Sequence, residues 1–340
     1  MRAALLREYN RPLELIERPE PEPDESRSVV VRVGGAGVCA TDLHAIDGLM
    51  EPAGLVPPVV LGHENAGWVH AVGADVSAAE VGDAVLVYPA YSCGLCVPCR
   101  RAQDIHCEQH QFTGLTRDGG FADYVLVDER SLIRLPDGVE PAEVAPHADA
   151  GITAYHAVKK LLPRLEPGST AAVIGVGGVG HIALQLVRVL GAARVVGIDT
   201  DERRRSLAHE LGADDVLGEE DDVAAAVREL TNGVGADVVL DFVGTDETHA
   251  SGMAMLARRG LYSIVGYGGM LTHPSVGFVV GETVVAGNLV GNWIDLWELL
   301  QLHGRGDVTL RTQTHSLEDV NEVLDALRGG EVTGRAVLVP

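Results

Sequence analysis

The chain has two kinds of hydrophobic pattern, one in its first part and another in its second. In roughly the first 90 residues, short β-branched runs end at Gly, Asp or Pro, as at 29–33, 68–72 and 84–88. Runs of this kind predict short strands separated by turns. We therefore expect an antiparallel or barrel-like β domain in this part of the chain.

From about residue 152, patterns typical of buried strands alternate with stretches of helical periodicity. The predicted strands are 170–174, 194–199, 237–241 and 261–266, and the predicted helices between them are 181–190, 202–211 and 222–230. This alternation predicts a doubly wound parallel sheet of the α/β class. After about residue 290, helical patterns at 295–302 and 317–327 precede a final strand at 335–339.

Length and charge indicate how many domains the protein has and which kinds of partner it does not bind. A chain of 340 residues exceeds the size of most single cores, so two domains are expected. The formal net charge of -23 argues against nucleic acid or an anionic membrane as a partner, because both bind clustered Lys and Arg. No apolar run is long enough to span a bilayer, and the N-terminus has no signal-peptide pattern. We therefore expect a cytoplasmic protein.

Four of the five cysteines are crowded into one segment. Cys93, Cys96, Cys99 and Cys107 form the pattern C-x2-C-x2-C-x7-C, which has no apolar periodicity. Four thiolates at such spacing can surround Zn²⁺ and leave no position for water, which is typical of a structural zinc site. The alternative is four unrelated thiols.

A glycine-rich turn opens the second half of the chain. The motif G-V-G-G-V-G at 175–180 follows a predicted strand and begins a predicted helix, and Asp199 ends the next strand. Gly175 permits a tight turn, Gly177 lets a pyrophosphate approach the backbone, and Gly180 allows close packing of helix and strand. An acidic residue at position 199 favours NAD over NADP. The alternative is a glycine-rich turn that binds no nucleotide.

Two further residues have the chemistry of zinc ligands. Cys39 and His63 lie in the first domain, and thiolate with imidazole is a ligand set that Zn²⁺ favours. A catalytic site needs a third protein ligand and an open position. With the other cysteines assigned to the structural site, no thiol remains for that third place.

The sequence G-H-E-N-A-G at 62–67, together with Cys39, the four-cysteine segment and the glycine turn, resembles the zinc-dependent medium-chain alcohol dehydrogenases over essentially the whole chain. The resemblance implies a GroES-like β-barrel catalytic domain at 1–151 and 291–340, with a structural-zinc lobe at 93–107. It also implies a Rossmann NAD-binding domain at 152–290. Two Zn²⁺ per subunit, NAD, a small alcohol, aldehyde or ketone substrate and a homodimer or homotetramer follow from the same resemblance.

The resemblance also assigns roles to individual residues. Asp149 matches the third ligand of the catalytic zinc, in a branch where a carboxylate replaces Cys, and His147 is the competing candidate. Glu64 matches a carboxylate near the metal, Thr41 a group that bonds the substrate hydroxyl, and His44 a relay that passes its proton to solvent. For His44, an exposed loop histidine without a catalytic role is the alternative.

The coenzyme contacts implied by the resemblance span the second domain and one late strand. They are Thr153, Gly175, Gly177, Gly178, Val179, Gly180, Asp199, Arg204, Val243, Val265, Gly266, Leu289, Val290 and Arg335. Within this set, Arg335 matches a residue that pairs with the pyrophosphate. For Arg204, a solvated arginine at the start of a helix is the alternative.

Substrate choice is the least determined feature. Leu49, Met50, Leu55 and the segment 291–294 are candidate pocket walls, and their apolar character favours small or medium primary and secondary alcohols. Trp293, in that segment, and Trp297, four residues later, are equally compatible with core or interface positions. A polyol, sugar or amino-alcohol dehydrogenase of the same family is the first alternative. The second is a zinc- and NAD-binding protein without turnover, acting as a sensor or structural partner.

Overall fold

The structure is a computed structural model that describes residues 1–23, 26–218 and 222–340. Its strands are β1 (Arg2–Leu6), β2 (Glu14–Glu17), β3 (Ser28–Val38), β4 (Val59–Val60), β5 (Glu64–Val72), β6 (Ala84–Val87), β7 (Ala90–Tyr91), β8 (Gln111–Phe112), β9 (Tyr124–Asp128), β10 (Leu132–Arg134), β11 (Thr170–Ile174), β12 (Arg194–Ile198), β13 (Asp215–Leu217), β14 (Ala236–Asp241), β15 (Leu256–Ile264), β16 (Val284–Gly287), β17 (Thr312–Ser316) and β18 (Arg335–Val339). Its α-helices are α1 (Ala40–Ile46), α2 (Val97–Arg100), α3 (Pro141–Val144), α4 (Ala150–Lys159), α5 (Gly180–Leu190), α6 (Glu202–Glu210), α7 (Val223–Leu230), α8 (Asp246–Met255), α9 (Ser275–Gly281), α10 (Trp293–Gly304) and α11 (Val320–Arg328). Short 3-10 turns lie at Glu51–Ala53, Asp104–His106, Glu129–Ser131, Ala145–Ala148, Leu162–Arg164 and Leu317–Asp319.

The chain divides into two units. The first contains Met1–Ile152, Asn292–Arg305 and Leu310–Pro340, and the second contains Thr153–Gly291 and Gly306–Thr309. Among the described residues, none of the helices has the length and apolar character needed to cross a bilayer.

The first unit is built around a largely antiparallel sheet. Its strand order is β10-β6-β5-β3-β18-β17, with β9 also paired to β3, and a smaller sheet has the order β2-β1-β4. Valines of β3 and β5 are buried in one core cluster with Leu6, Leu61 and Phe121. The predicted β-rich first domain is confirmed.

Pairing of β3 with β5 brings the two candidate zinc ligands of this region together. In the register of this antiparallel pair, Gly37 near the end of β3 lies opposite Glu64 at the start of β5. Cys39 follows the end of one strand and His63 precedes the beginning of the other, so both lie at the same end of the pair. A Cβ atom at Gly37 would overlap the Glu64 carboxylate, so this close approach requires glycine.

The second unit contains a fully parallel sheet. The strand order is β13-β12-β11-β14-β15-β16, and every neighbouring pair is parallel. Counted within this unit, that order is 3-2-1-4-5-6, the arrangement of a dinucleotide-binding Rossmann sheet. The strands β11 and β14 are buried over almost their whole length, as expected for parallel strands covered on both faces. The predicted doubly wound parallel sheet is confirmed.

Candidate active site

Three potential zinc ligands from separate segments meet in the first unit. Cys39 precedes α1, His63 precedes β5, and Asp149 follows the 3-10 turn at Ala145–Ala148. The Cys39 Sγ atom lies 3.6 Å from Asp149 Oδ2, and His63 Nε2 lies 3.4 Å from the same oxygen. All three donor atoms lie within 4.8 Å of one another. Thiolate, imidazole and carboxylate together form a donor set that fits Zn²⁺ with one position left open.

Asp42 fixes the orientation of two of these ligands. Its Oδ2 accepts a hydrogen bond of 2.9 Å from the backbone N–H of Cys39, and its Oδ1 lies 3.2 Å from His63 Nδ1. Because a carboxylate only accepts, Nδ1 donates to Asp42, and Nε2 is the ring nitrogen left to bind a metal once it is deprotonated. Within the described ranges of the chain, His63 Nε2 is buried and has no hydrogen-bond partner. An unpartnered buried nitrogen is costly, and this one lies among the donor atoms of Cys39 and Asp149.

The electrostatics of the cluster favour a bound cation. Burial alone would lower the pKa of His63, but the charge of Asp42 and the contact with Asp149 raise it well above its usual value. Burial would raise the pKa of Asp149, but the His63 imidazole lowers it below its usual range. The Asp149 carboxylate is therefore ionised at neutral pH, and His63 holds a proton that a metal ion at this site would displace.

Glu64 joins the segments that carry the ligands. Its Oε1 accepts a hydrogen bond of 2.9 Å from the backbone N–H of Ala150, the residue after Asp149. Its Oε2 forms a buried ion pair with Nη2 of Arg335 on β18. Glu64 therefore holds the position of Asp149 through the backbone. The Arg335 Nε atom is also buried and, among the residues described, has no hydrogen-bond partner.

His147 has a different neighbour from Asp149. Its Nε2 lies 3.0 Å from Nδ1 of His303 on α10. The structure thus brings Asp149 to Cys39 and His63 and turns the His147 imidazole toward His303.

Thr41 and His44 occupy one turn of α1, three residues apart, and both are half-buried. Burial lowers the pKa of His44, the nearby carboxylate of Asp47 acts in the opposite direction, and the guanidinium of Arg328 adds to the lowering. Asp47 and Arg328 form a two-pronged ion pair with distances of 2.8 and 2.9 Å. His44 is therefore neutral at pH 7 and able to accept a proton.

The four remaining cysteines converge as their spacing predicts. The Sγ atoms of Cys96 and Cys99 are 3.3 Å apart, and Cys93 to Cys99 and Cys96 to Cys107 are both 4.0 Å. Backbone N–H groups of Leu95 and Cys96 point at the Cys93 sulfur and lower the pKa of this thiol to about 6. A four-sulfur cluster with donated hydrogen bonds fits a structural zinc.

The glycine turn of the second unit connects β11 to α5. Gly175 has a positive φ of 83°, and a Cβ atom at Gly180 would overlap the Gly175 carbonyl oxygen, so the turn depends on both glycines. Asp199, directly after β12, accepts a 2.8 Å hydrogen bond from the Val176 N–H. Arg204 on α6 is half-buried near Gly177, and for the described residues its Nε has no hydrogen-bond partner.

The other predicted coenzyme contacts lie after the carboxyl ends of the parallel strands, where ligands bind in this kind of sheet. Val243 follows β14, Val265 and Gly266 follow β15, and Leu289 and Val290 follow β16. The Thr153 carbonyl accepts a 3.2 Å hydrogen bond from Nδ2 of Asn288. Gly178 and Val179 are the last two residues of the glycine turn before the first residue of α5.

Among the candidate pocket walls of the first unit, Leu55 is a core residue with no exposed surface. Leu49 is exposed, and Trp293 is half-buried with its indole N–H 3.3 Å from the Leu132 carbonyl oxygen.

Comparison with known proteins agrees with this arrangement. Residues 25–137 match the family described as "Alcohol dehydrogenase GroES-like domain", and residues 178–303 match "Zinc-binding dehydrogenase". The "NAD-dependent alcohol dehydrogenase" of Sulfurisphaera tokodaii is 35% identical, and the match covers 100% of both chains. This chain belongs to the zinc-dependent medium-chain alcohol dehydrogenases. The predicted family and its GroES-like and Rossmann domains are confirmed.

Solved members of this alcohol dehydrogenase family share the fold along the full chain. The alcohol dehydrogenase from Aeropyrum pernix is 44% identical, with a TM-score of 0.97 and 100% coverage of both chains. The D-arabinose dehydrogenase from Sulfolobus solfataricus is 32% identical, with a TM-score of 0.86 and coverage of 100% of this chain and 99% of that one.

Some residues that shape this dehydrogenase site are not visible in the sequence motifs. Arg328 and His303 reach the site region only through tertiary contacts, and no local pattern marks them. Asp241 ends β14 and accepts hydrogen bonds from the N–H groups of Val243 and Gly244. This residue carried a recognisable signal, since it is an acidic residue that ends an apolar strand and is followed by Gly three positions later.

We expect Asp149→Ala to lower the zinc content from about two to about one Zn²⁺ per subunit, because the catalytic site loses one of three protein ligands. Atomic absorption on the purified protein measures this, with circular dichroism to verify the fold. Asp137→Ala, which removes an exposed carboxylate, is the matched control and should keep both ions. Unchanged zinc in Asp149→Ala would exclude Asp149 as a ligand.

We expect Asp199→Ser to reduce the preference for NAD over NADP by at least about tenfold, because a negative charge that repels a 2′-phosphate is removed. The ratio of kcat/KM for the two coenzymes measures this. Asp201→Ser removes a carboxylate that is bonded to Arg203, and the ratio should change less. An equal effect of both substitutions would show that ribose recognition lies elsewhere.

Proposed function

We propose that this protein is a zinc- and NAD-dependent alcohol dehydrogenase that reversibly transfers hydride between a primary or secondary alcohol and NAD, giving an aldehyde or ketone. The observation that carries the proposal is the convergence of Cys39, His63 and Asp149 on one small volume. The same chain carries a glycine turn held by Asp199. A protein that only sensed or stored nucleotide would not need a complete three-ligand site beside the structural cysteines.

Cys39, His63 and Asp149 would hold the catalytic Zn²⁺, and the four clustered cysteines would hold a second, structural one. When bound, the catalytic zinc supplies a Lewis acid that lowers the pKa of an alcohol. The coenzyme supplies the hydride acceptor. Asp42 orients His63, and Glu64 positions Asp149 through the Ala150 amide.

Thr41 and His44 would move the proton of the substrate hydroxyl. Residues three apart on a helix lie on the same face, so their side chains can serve one path. The Thr41 hydroxyl can accept one hydrogen bond while donating another. His44, with its pKa lowered by burial, is the neutral base at the end of this path.

On the coenzyme side, the glycine turn would accept the pyrophosphate at the N-terminus of α5. Asp199 uses Oδ2 for the Val176 N–H and Oδ1 for the Asp201 N–H at 3.0 Å. Each oxygen retains acceptor capacity for a ribose hydroxyl. Arg204 and Arg335, each with a buried Nε, are the proposed cationic contacts for the coenzyme.

The second candidate function is oxidation of a sugar or polyol. It is favoured by similarity to the "D-arabinose 1-dehydrogenase (NADP(+))" of Saccharolobus solfataricus, which is 34% identical over 100% of this chain. The apolar side chain of Leu49 and the indole of Trp293 favour alcohols over polyols. Because of the similarity, sugars and polyols are nevertheless included in the substrate panel that tests the function.

We also infer a homo-oligomer. The strand β16 is the last strand of the parallel sheet, and within the described part of the chain it pairs with β15 along one edge only. The neighbouring helix α9 exposes Val276, Val279 and Val280. An open strand edge beside exposed valines supports pairing with a second copy of this chain.

The proposed activity is tested by NADH formation across a panel of primary alcohols, secondary alcohols, polyols and sugars. We expect the highest kcat/KM with an apolar alcohol, together with loss of activity in Cys39→Ala and after zinc chelation. A sugar as best substrate would favour the second candidate. Absence of NADH formation with every compound, in protein that retains two zinc ions, would reject both.

The pH dependence of alcohol oxidation tests the role of His44. The base must be deprotonated, so kcat/KM rises with pH through the His44 pKa. Arg328→Gln removes a charge that lowers this pKa, and the acidic limb should move to higher pH. Asp47→Asn removes a charge that raises the pKa, and the limb should move to lower pH. Shifts in the same direction, or none, would count against a relay through His44.

A further inference from the structure

A buried carboxylate at the end of β14 accepts an unusual number of hydrogen bonds. Asp241 Oδ1 accepts from the N–H groups of Val243 at 2.8 Å and Gly244 at 3.0 Å. Its Oδ2 accepts from the hydroxyls of Thr248 at 2.8 Å and Tyr262 at 2.6 Å. The carboxylate has no exposed surface, so these donors replace the water it has lost.

The backbone of Asp241 holds a second segment. Its carbonyl oxygen accepts hydrogen bonds of 2.9 Å from the N–H groups of Val265 and Gly266, which follow β15. One residue therefore fastens the connections after two neighbouring parallel strands.

The hydrogen bonds of Asp241 continue through Tyr262 to His249. Tyr262 has one hydroxyl hydrogen and gives it to Asp241, so its oxygen accepts the hydrogen of His249 Nδ1 at 2.7 Å. Burial and the neighbouring Asp241 raise the pKa of Tyr262, which keeps the hydroxyl protonated. The chain of donors runs from His249 through Tyr262 to Asp241, and all three side chains are buried.

The two fastened segments contact each other and the glycine turn. A Cβ atom at Gly266 would lie 2.6 Å from the backbone nitrogen of Val243, so the two connections are in direct backbone contact. The Val243 Cγ2 atom would lie 2.6 Å from a Cβ at Gly175, which places this side chain against the start of the turn. Displacement of Asp241 would therefore displace the surroundings of the turn as well.

We propose that Asp241, Tyr262 and His249 form a positioning network that sets the affinity for the nicotinamide coenzyme by holding the segments at 243–244 and 265–266 in place. The proposal rests on the proposed NAD-dependent function and names residues that act through these segments. None of the three is expected to touch the substrate or to take part in proton transfer.

The main test is the coenzyme affinity of Tyr262→Phe. The ring stays, while Asp241 loses one donor and His249 loses its acceptor. We expect the Kd for NADH, measured by fluorescence titration, to rise about fivefold, because part of the free energy lost with the hydrogen bonds of the Tyr262 hydroxyl is lost from coenzyme binding. The KM for NAD should rise in parallel, with kcat at saturating NAD and the zinc content unchanged.

The matched control is Val227→Ala. Val227 is fully buried on α7 in the same core cluster as Tyr262, and it belongs to none of the segments fastened by Asp241. Its thermal midpoint should fall by an amount comparable to that of Tyr262→Phe, with the Kd for NADH unchanged. Asp241→Asn keeps one acceptor oxygen for the two backbone amides and should weaken NADH binding less than Asp241→Ala.

An unchanged Kd in Tyr262→Phe would overturn the proposal while leaving the dehydrogenase function intact, because the wild-type protein would still bind NADH. An equal loss of affinity in Val227→Ala would also overturn it, since the effect would then follow stability alone. Failure of the wild-type protein to bind NADH would reject the proposed function and this inference together.

Discussion

The arrangement of the first unit depends on the buried contacts of Glu64. One oxygen receives the amide of Ala150 and the other receives the guanidinium of Arg335, while the carboxylate lies against Gly37. Through these contacts the Glu64 carboxylate, which belongs to β5, holds both the segment after Asp149 and the strand β18. Burying a carboxylate with both oxygens satisfied costs far less than burying it alone. The positions of the proposed ligands Cys39, His63 and Asp149 follow from these contacts. His63 directly precedes Glu64, Asp149 directly precedes Ala150, and Cys39 lies two residues after Gly37.

The second unit uses carboxylates in the same way at the ends of its parallel strands. Asp199 receives amides from the glycine turn and from its own segment, and Asp241 receives amides from the connection that follows it. Connections at the carboxyl ends of such strands must be irregular to admit a ligand, and so they lack the regular hydrogen bonds of helix or sheet. A buried acceptor at the strand end supplies those bonds. The loops that face the ligand are therefore held in place by Asp199 and Asp241 at the strand ends.

Strands and helices could be predicted from the sequence where their apolar residues form a clear local pattern. The strands at Thr170–Ile174 and Arg335–Val339 were predicted with their observed bounds, because apolar runs bounded by Gly and polar residues are local signals. The strand β15 begins five residues earlier than predicted, since Arg258 and Arg259 interrupt its apolar run. The helix Asp246–Met255 was not predicted, because its apolar residues have no clear helical spacing. Contacts between residues far apart in sequence, such as Arg335 with Glu64, have no local signal at all.

The buried charges around His63 link cation binding to the folding of the first unit. Asp42 and Asp149 place two carboxyl groups against the His63 imidazole, and a third carboxylate, that of Glu64, is paired with Arg335. The Nε2 atom of His63 is buried and has no hydrogen-bond partner among the described residues. Both features cost free energy in a low-dielectric interior, and both are relieved by a divalent cation at Cys39, His63 and Asp149. Because the three donors come together only in the folded first unit, cation binding and folding of this unit are thermodynamically linked.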